Sequence, residues 1–227
     1  MKQIYGRSIR IIIWLPIEDR AATAATTIFF EIKKYLDIMK YVLEMGEEDE
    51  TTVTAKGQRQ FSKTTSGDSS FPSLKDSRWG AQNSVLDSPW FERCWVVQEV
   101  ALSRGTPLML LGKQKLDWQD LSRTFSWLMK NLRTTGWYDI SHPSGSLDTV
   151  RAIYQENALA LDLSMLLRLL TNTHASDPRD RILALLRLAR DTASLSIWPP
   201  QLEPDYSRST RSVYTEVTRY CIRHESH

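Results

Sequence analysis

Apolar residues along this chain fall into short β-branched runs and longer stretches with helical spacing. Ile9 to Leu15 is a β-branched run stopped by Pro16, the pattern of a strand buried on both faces. Ile28, Phe29, Ile32, Tyr35, Leu36, Met39, Val42 and Leu43 recur along one helix face, and Gly46 is placed to end that helix. Residues 47–73 turn acidic and then rich in Ser, Thr, Gly and Lys, which predicts a disordered surface insertion. Leu74 to Leu86, with Trp79, reads as a short helix. Pro89 to Arg104 reads as one helix, with Ser88 as cap, Pro89 in the first turn and Gly105 closing the end in a left-handed conformation. A strand is expected at Thr106 to Leu111. A helix then starts at Asp117-Trp118, where Asp117 and Asp120 cap and charge it, and runs to about Leu132. Thr134 to Asp148 is expected to be a loop, followed by helices over Val150–Leu170, Pro178–Arg190 and Ser209–Arg223.

Strands alternating with helices call for crossover connections and a parallel sheet. The fold class expected is therefore α/β, with three layers and a mostly parallel sheet. Ile9–Leu15 and Thr106–Leu111 should be parallel neighbours, with the Pro89–Arg104 helix packed on them. The whole chain, 1–227, is read as one domain.

Composition narrows the function classes. With 41% hydrophobic residues and 25% charged, the chain can bury a core. Its net charge of +2, without a basic block, gives no case for nucleic acid or an anionic membrane. No apolar stretch approaches the ~20 residues of a spanning helix, and residues 1–5 do not resemble a signal peptide. Cys94 and Cys221 are read as reduced core residues of an intracellular, cytoplasmic protein. His142, His174, His224 and His227 have no metal-ligand spacing with the cysteines, so neither a metal nor a bound cofactor is expected.

The densest chemistry lies in Ser88-Pro89-Trp90-Phe91-Glu92-Arg93-Cys94-Trp95-Val96-Val97-Gln98-Glu99, where polar Arg93, Gln98 and Glu99 are set among bulky residues. Buried polar groups need partners or a cleft. This run resembles the Trp-Phe-x-Arg-x-Trp-Val-x-Gln-Glu stretch of the fungal heterokaryon incompatibility (HET) domain. Ala175-Ser176-Asp177-Pro178-Arg179-Asp180 is similar to that family's Asp-Pro-Arg-Asp stretch, and Pro204-Asp205-Tyr206 to its Pro-Asp-Tyr segment. Ile11-Ile12-Ile13-Trp14-Leu15 looks like its strand ending in Trp-Leu. The chain departs from the family in two places: the early Trp-Ile-Asp…Cys-Ile-Asn-Gln segment is absent, and Arg187 stands where a Gly is usual. The resemblance therefore implies a domain incomplete at its N-terminus, with an open sheet edge beside Ile9–Leu15 that invites aggregation.

HET domains are remotely similar to Toll/interleukin-1 receptor (TIR) domains, which implies a TIR-like, flavodoxin-like sheet. Trp95-x-x-x-Glu99 resembles the TIR Trp-Cys-x-x-Glu motif, whose glutamate serves NAD cleavage, with NAD as substrate rather than cofactor. Glu99 is thus the candidate catalytic carboxylate, able to stabilise an oxocarbenium-like ribose. Arg93, Trp95, Gln98, Arg179 and Asp180 are its candidate supports. The competing reading pairs Glu99 with Arg93 or Arg179 and makes it a packing residue. Trp95 is expected to be buried against the sheet, and the Tyr206 ring to pack on it too. The resemblance implies an effector of non-self recognition and programmed cell death in filamentous fungi, with homotypic or HET-domain partners. A chain missing its first strands could instead be an inactive gene product.

Overall fold

The computed structural model describes residues 8–44, 72–73, 75–132, 143–156, 161–193, 195 and 198–224. The expected insertion at 47–73 and the helix end at Gly46 lie almost wholly outside them. The fold is mixed α/β, a small sheet accompanied by many helices. The chain divides into two compact units, neither continuous in sequence: a sheet unit of Ile12–Ser88 with Thr106–Ile140, and a helical unit of Met1–Ile11, Pro89–Gly105 and Ser141–His227.

In the sheet unit, β1 (Ile12–Leu15) pairs in parallel with β2 (Leu108–Leu111), placing Ile13 opposite Met109 and Leu15 opposite Leu111. The expected parallel neighbours are present, each shorter than its apolar run. A third strand, β3 (Gln114–Asp117), runs antiparallel to β2, so among the described residues the sheet has one parallel and one antiparallel pairing. Its connection is two residues, Gly112-Lys113, with positive φ at Gly112 (53°) and at no described non-glycine residue. Positive φ at the first loop position alone is the pattern of a type II′ turn, which suits the twist of a hairpin. A Cβ at Gly112 would also fall 2.5 Å from Asp19 Oδ1.

Strand pleating gives the sheet one buried face, with Ile13, Leu15, Met109, Leu111 and Leu116. The other face is open at β1, where Ile12 is 63% and Trp14 65% exposed. The expectation of a strand buried on both faces is corrected here. Helix α1 (Asp19–Glu44) begins nine residues before the first apolar position used to infer it, and α2 (Arg78–Leu86) packs along it. Ile28, Ile32 and Tyr35 of α1 form a core with Trp79 of α2 and with Leu128 of α4 (Trp118–Leu132). Arg78 locks the α1–α2 packing: its guanidinium donates to both Glu31 oxygens (2.6 and 2.8 Å) and to Asp76, and these carboxylates hold its pKa above the usual value.

In the helical unit, the expected Pro89–Arg104 helix is broken. A 3₁₀ turn at Pro89–Glu92 precedes α3 (Val96–Leu102), and between them Arg93 forms a parallel bridge with His174. His174 N–H donates to Glu92 O and Cys94 N–H to His174 O, so the Glu92 carbonyl that Val96 would use in a helix is taken, and Val96 turns to Arg93 O. Ser103, in extended conformation, ends α3. Gly105 is not left-handed; it is needed because a Cβ there would lie 2.3 Å from Ile9 O.

Helix α5 (Pro143–Glu156) begins inside the expected loop, with Pro143 as its first residue. The expected Val150–Leu170 helix does not run through, because Asp162 caps a new start, α6 (Leu163–Leu169), by accepting from Met165 N–H. α7 (Asp180–Leu183) is far shorter than the expected Pro178–Arg190 helix and continues as turns, with Thr192 Oγ1 donating to Leu186 O. α8 (Thr210–His224) lies within a residue of expectation.

The exposed Ile12 and Trp14 generate a prediction. β1 carries no lysine or proline to block pairing along its outer edge. Ile12→Lys with Trp14→Lys should therefore raise the concentration at which light scattering detects self-association. Stability should shift by no more than about 0.5 kcal/mol per substitution, as for exposed sites. Unchanged scattering would remove β1 as the source of association.

Candidate functional site

The sequence-selected residues of the helical unit converge on α3 and on the start of α7. Asp177 Oδ1 accepts the Arg179 N–H at 2.9 Å, closing a turn just before α7. Its carboxylate also grips the Arg179 guanidinium (Nη2 to Oδ2 2.6 Å), and that arginine holds the Asp177 carboxyl below the usual range. Arg179 Nη1 donates to the carbonyls of Tyr206 (2.6 Å) and Arg208 (2.7 Å), and the guanidinium lies over the Tyr206 ring at 5.2 Å. Arg179 therefore ties the Pro204-Asp205-Tyr206 segment to the Asp-Pro-Arg-Asp segment. It is fully engaged there, and the packing reading in which it pairs with Glu99 is not the one observed.

Asp180 is the hub. One oxygen accepts from Tyr206 Oη at 2.5 Å and the other from Trp95 Nε1 at 3.2 Å. Trp95 is half-buried as the residue before α3, with its indole directed to this carboxylate, and Tyr206 is 52% exposed. Neither ring is fully buried, and each carries a polar hydrogen that Asp180 satisfies. The same carboxylate pushes the Tyr206 phenol up to about 12. Gln98 is buried and donates from Nε2 to Ala184 O at 2.6 Å, fixing α3 to the chain just after α7. Burial first, and Asp180 second, push the Cys94 thiol up to about 11, which leaves it no nucleophile at neutral pH.

Glu99 lies one turn after Trp95, on α3, and is half-buried. Arg93 is exposed and joins the assembly through its backbone bridge to His174. Two residues that sequence reasoning did not single out hold the far end of α3. Buried Arg151 of α5 donates to the carbonyls of Val100, Ser103 and Gly105, and Gln155 donates to Ala101 O (3.0 Å) and Ser103 O (3.3 Å). A cation on the last carbonyls of a helix satisfies its unpaired acceptors and its dipole together. The available signal was an Arg and a Gln four residues apart on a helix that also carries Leu147 and Val150. Arg187, the departure from the family pattern, stacks on Trp198 at 4.3 Å and donates to Leu195 O. Among the described residues, no group of three or more His, Cys, Asp or Glu is placed to hold a metal, and no helix is long and apolar enough to cross a membrane.

Two predictions follow from this geometry. Arg151→Met keeps the apolar stem but strands three carbonyls, and should lower unfolding free energy by about 2–3 kcal/mol in denaturant melts; a loss under about 0.5 kcal/mol would rule out the clamp. Tyr206 should titrate near 12 and fall toward 10 in Asp180→Asn, read as phenolate absorbance against a Tyr206→Phe blank. The phenol's folded pKa exceeds its unfolded value, so its contribution to stability is whole below pH 10 and is lost between about 10 and 12.

No curated protein and no solved structure matches this chain. Residues 1–99 match the family model described as Heterokaryon incompatibility protein (HET). The matched stretch contains the β1 strand, the Pro89 turn and the start of α3, with Arg93, Trp95, Gln98 and Glu99. Over these residues the chain is similar to the heterokaryon incompatibility (HET) domain family.

Proposed function

We propose that this chain is an effector of non-self recognition and programmed cell death in filamentous fungi, acting in the cytoplasm with homotypic or HET-domain partners. The observation that carries the reading is the family match over 1–99, which ends on the Trp95–Glu99 stretch that the rest of the helical unit holds in place. On this reading α3 is the working element, and the Asp180 hub and Arg151 clamp keep Trp95, Gln98 and Glu99 in fixed relation. A three-layer, TIR-like arrangement belongs to the same proposal; the open β1 face with Ile12 and Trp14 is where a further layer would lie.

A second reading follows from the Trp95-x-x-x-Glu99 spacing, which sets the half-buried Glu99 one turn after Trp95 on α3. On that reading Glu99 serves NAD cleavage. Its carboxylate would stabilise the positive ribose as the bond to nicotinamide breaks, and water would complete the hydrolysis.

Expression of the chain in a filamentous fungus tests both. The effector reading expects growth arrest on induction, and no arrest would overturn it. If NAD is cleaved, cellular NAD should fall before arrest. Glu99→Gln should then abolish the fall while the melting temperature of the purified variant stays within about 2 °C, since a near-isosteric change at a half-buried site shifts stability little. Arrest without loss of NAD assigns the chain to assembly. A variant that melts several degrees lower makes Glu99 a packing residue.

A further inference from the structure

We propose that Tyr206 is a phosphorylation site, and that a phosphate there unlatches residues 203–208 from the start of α7. Among the described tyrosines it is the exposed one, at 52%; Tyr154 and Tyr214 are half-buried, and Tyr35 and Tyr220 are buried. Residues 203–207 form no helix or strand, and Glu203, Pro204 and Ser207 are exposed beside it. The segment can therefore enter a kinase cleft as extended chain. Glu203 and Asp205 precede the tyrosine and give the segment a negative charge that a basic substrate groove attracts. The hydroxyl is held by a solvent-exposed hydrogen bond to Asp180 Oδ1 at 2.5 Å. A contact so open to water is weak enough to part for the transfer.

In the transfer, the Tyr206 oxygen bonds to the terminal phosphorus of a nucleoside triphosphate as the bond to the nucleoside diphosphate breaks. The phenolic proton passes to the kinase's own catalytic carboxylate. The product has lost the hydrogen that Asp180 accepted and carries a charge of about −1.5 to −2 in its place. Asp180 faces that charge directly, and Asp177 adds to the repulsion. Arg179, whose guanidinium lies over the ring, is already shared between the Asp177 carboxylate and the carbonyls of Tyr206 and Arg208. The modified side chain must therefore leave Asp180, and the Tyr206 carbonyl held by Arg179 moves with it. Arg208, two residues on, donates at 3.3 Å to the Pro200 and Gln201 carbonyls, neutral partners that a phosphate outcompetes. The loop thus has two positions, one with the hydroxyl on Asp180 and one with the phosphate on Arg208. This proposal is independent of the effector reading, since the loop can be switched whether or not expression arrests growth.

Phosphopeptide analysis of the full chain expressed in a filamentous fungus tests the site, and hydrogen exchange tests its effect. The peptide containing Tyr206 is expected to carry phosphate on that residue. A tyrosine kinase with magnesium ATP should modify Tyr206 of the purified chain about tenfold faster than Tyr154 or Tyr214, which need a local opening first. In the modified chain the amides of residues 203–208 should exchange about tenfold faster than before. Tyr206→Phe should change that exchange less than about threefold, because it removes the hydroxyl without adding charge. The proposal is overturned by an unphosphorylated Tyr206 in the cell or by modification no faster than at the half-buried tyrosines. It is equally overturned by unchanged exchange in the phosphorylated chain, or by an equal rise in Tyr206→Phe.

Discussion

A helix of seven residues is too short to persist in water, because its nucleation is unfavourable and most of its backbone groups lie in its ends. Everything that gives α3 a fixed conformation therefore comes from outside it. At one end, His174 takes the backbone of Glu92 and Cys94, and Asp180 takes the Trp95 indole. In the middle, Gln98 is pinned to Ala184. At the other end, Arg151 and Gln155 cover the last carbonyls. The residues that resemble the family's motif are thus held by polar contacts made along a short element and at both of its ends.

Those contacts explain why the motif segments, distant in sequence, belong together. Asp177 orients Arg179, Arg179 captures the backbone around Tyr206, and Tyr206 returns to Asp180, which in turn receives Trp95. Each member uses its polar group on another member, so removing one strands a neighbour. Tyr206 is exposed and Asp177 partly so, and their share of the stability is correspondingly reduced by solvent.

The sequence revealed elements where periodicity was strong and failed where tertiary hydrogen bonds overrode it. The parallel pairing of the two β-branched runs, the α4 helix and the final helix could all be read from spacing and caps. β3 could not, since Gln114-Lys115-Leu116-Asp117 offers one apolar side chain and is a strand because the Gly112 turn delivers it to β2. The break before α3 was invisible because nothing in Arg93-Cys94-Trp95 resists helix; His174, eighty positions away, supplies the competing backbone groups. In the site, Trp95, Gln98, Arg179 and Asp180 were singled out through the resemblance of their segments to known motifs. Arg151 was missed because it recognises main-chain carbonyls, which leave no complementary residue type to look for.

The interleaving of the two units bears on synthesis. The sheet unit closes only when Ile12 meets Leu108, and the segment 89–105 between them belongs to the other unit. That other unit needs Arg151, Asp180 and Tyr206, all downstream, before α3 is fixed. A nascent chain thus cannot finish one unit before beginning the next. The local β2–β3 hairpin and the helices can form early, whereas long-range closure waits for most of the chain and is slow. Until then the apolar Val96–Leu102 segment lacks the residues that hold it in the folded chain, the condition under which partly folded chains associate wrongly.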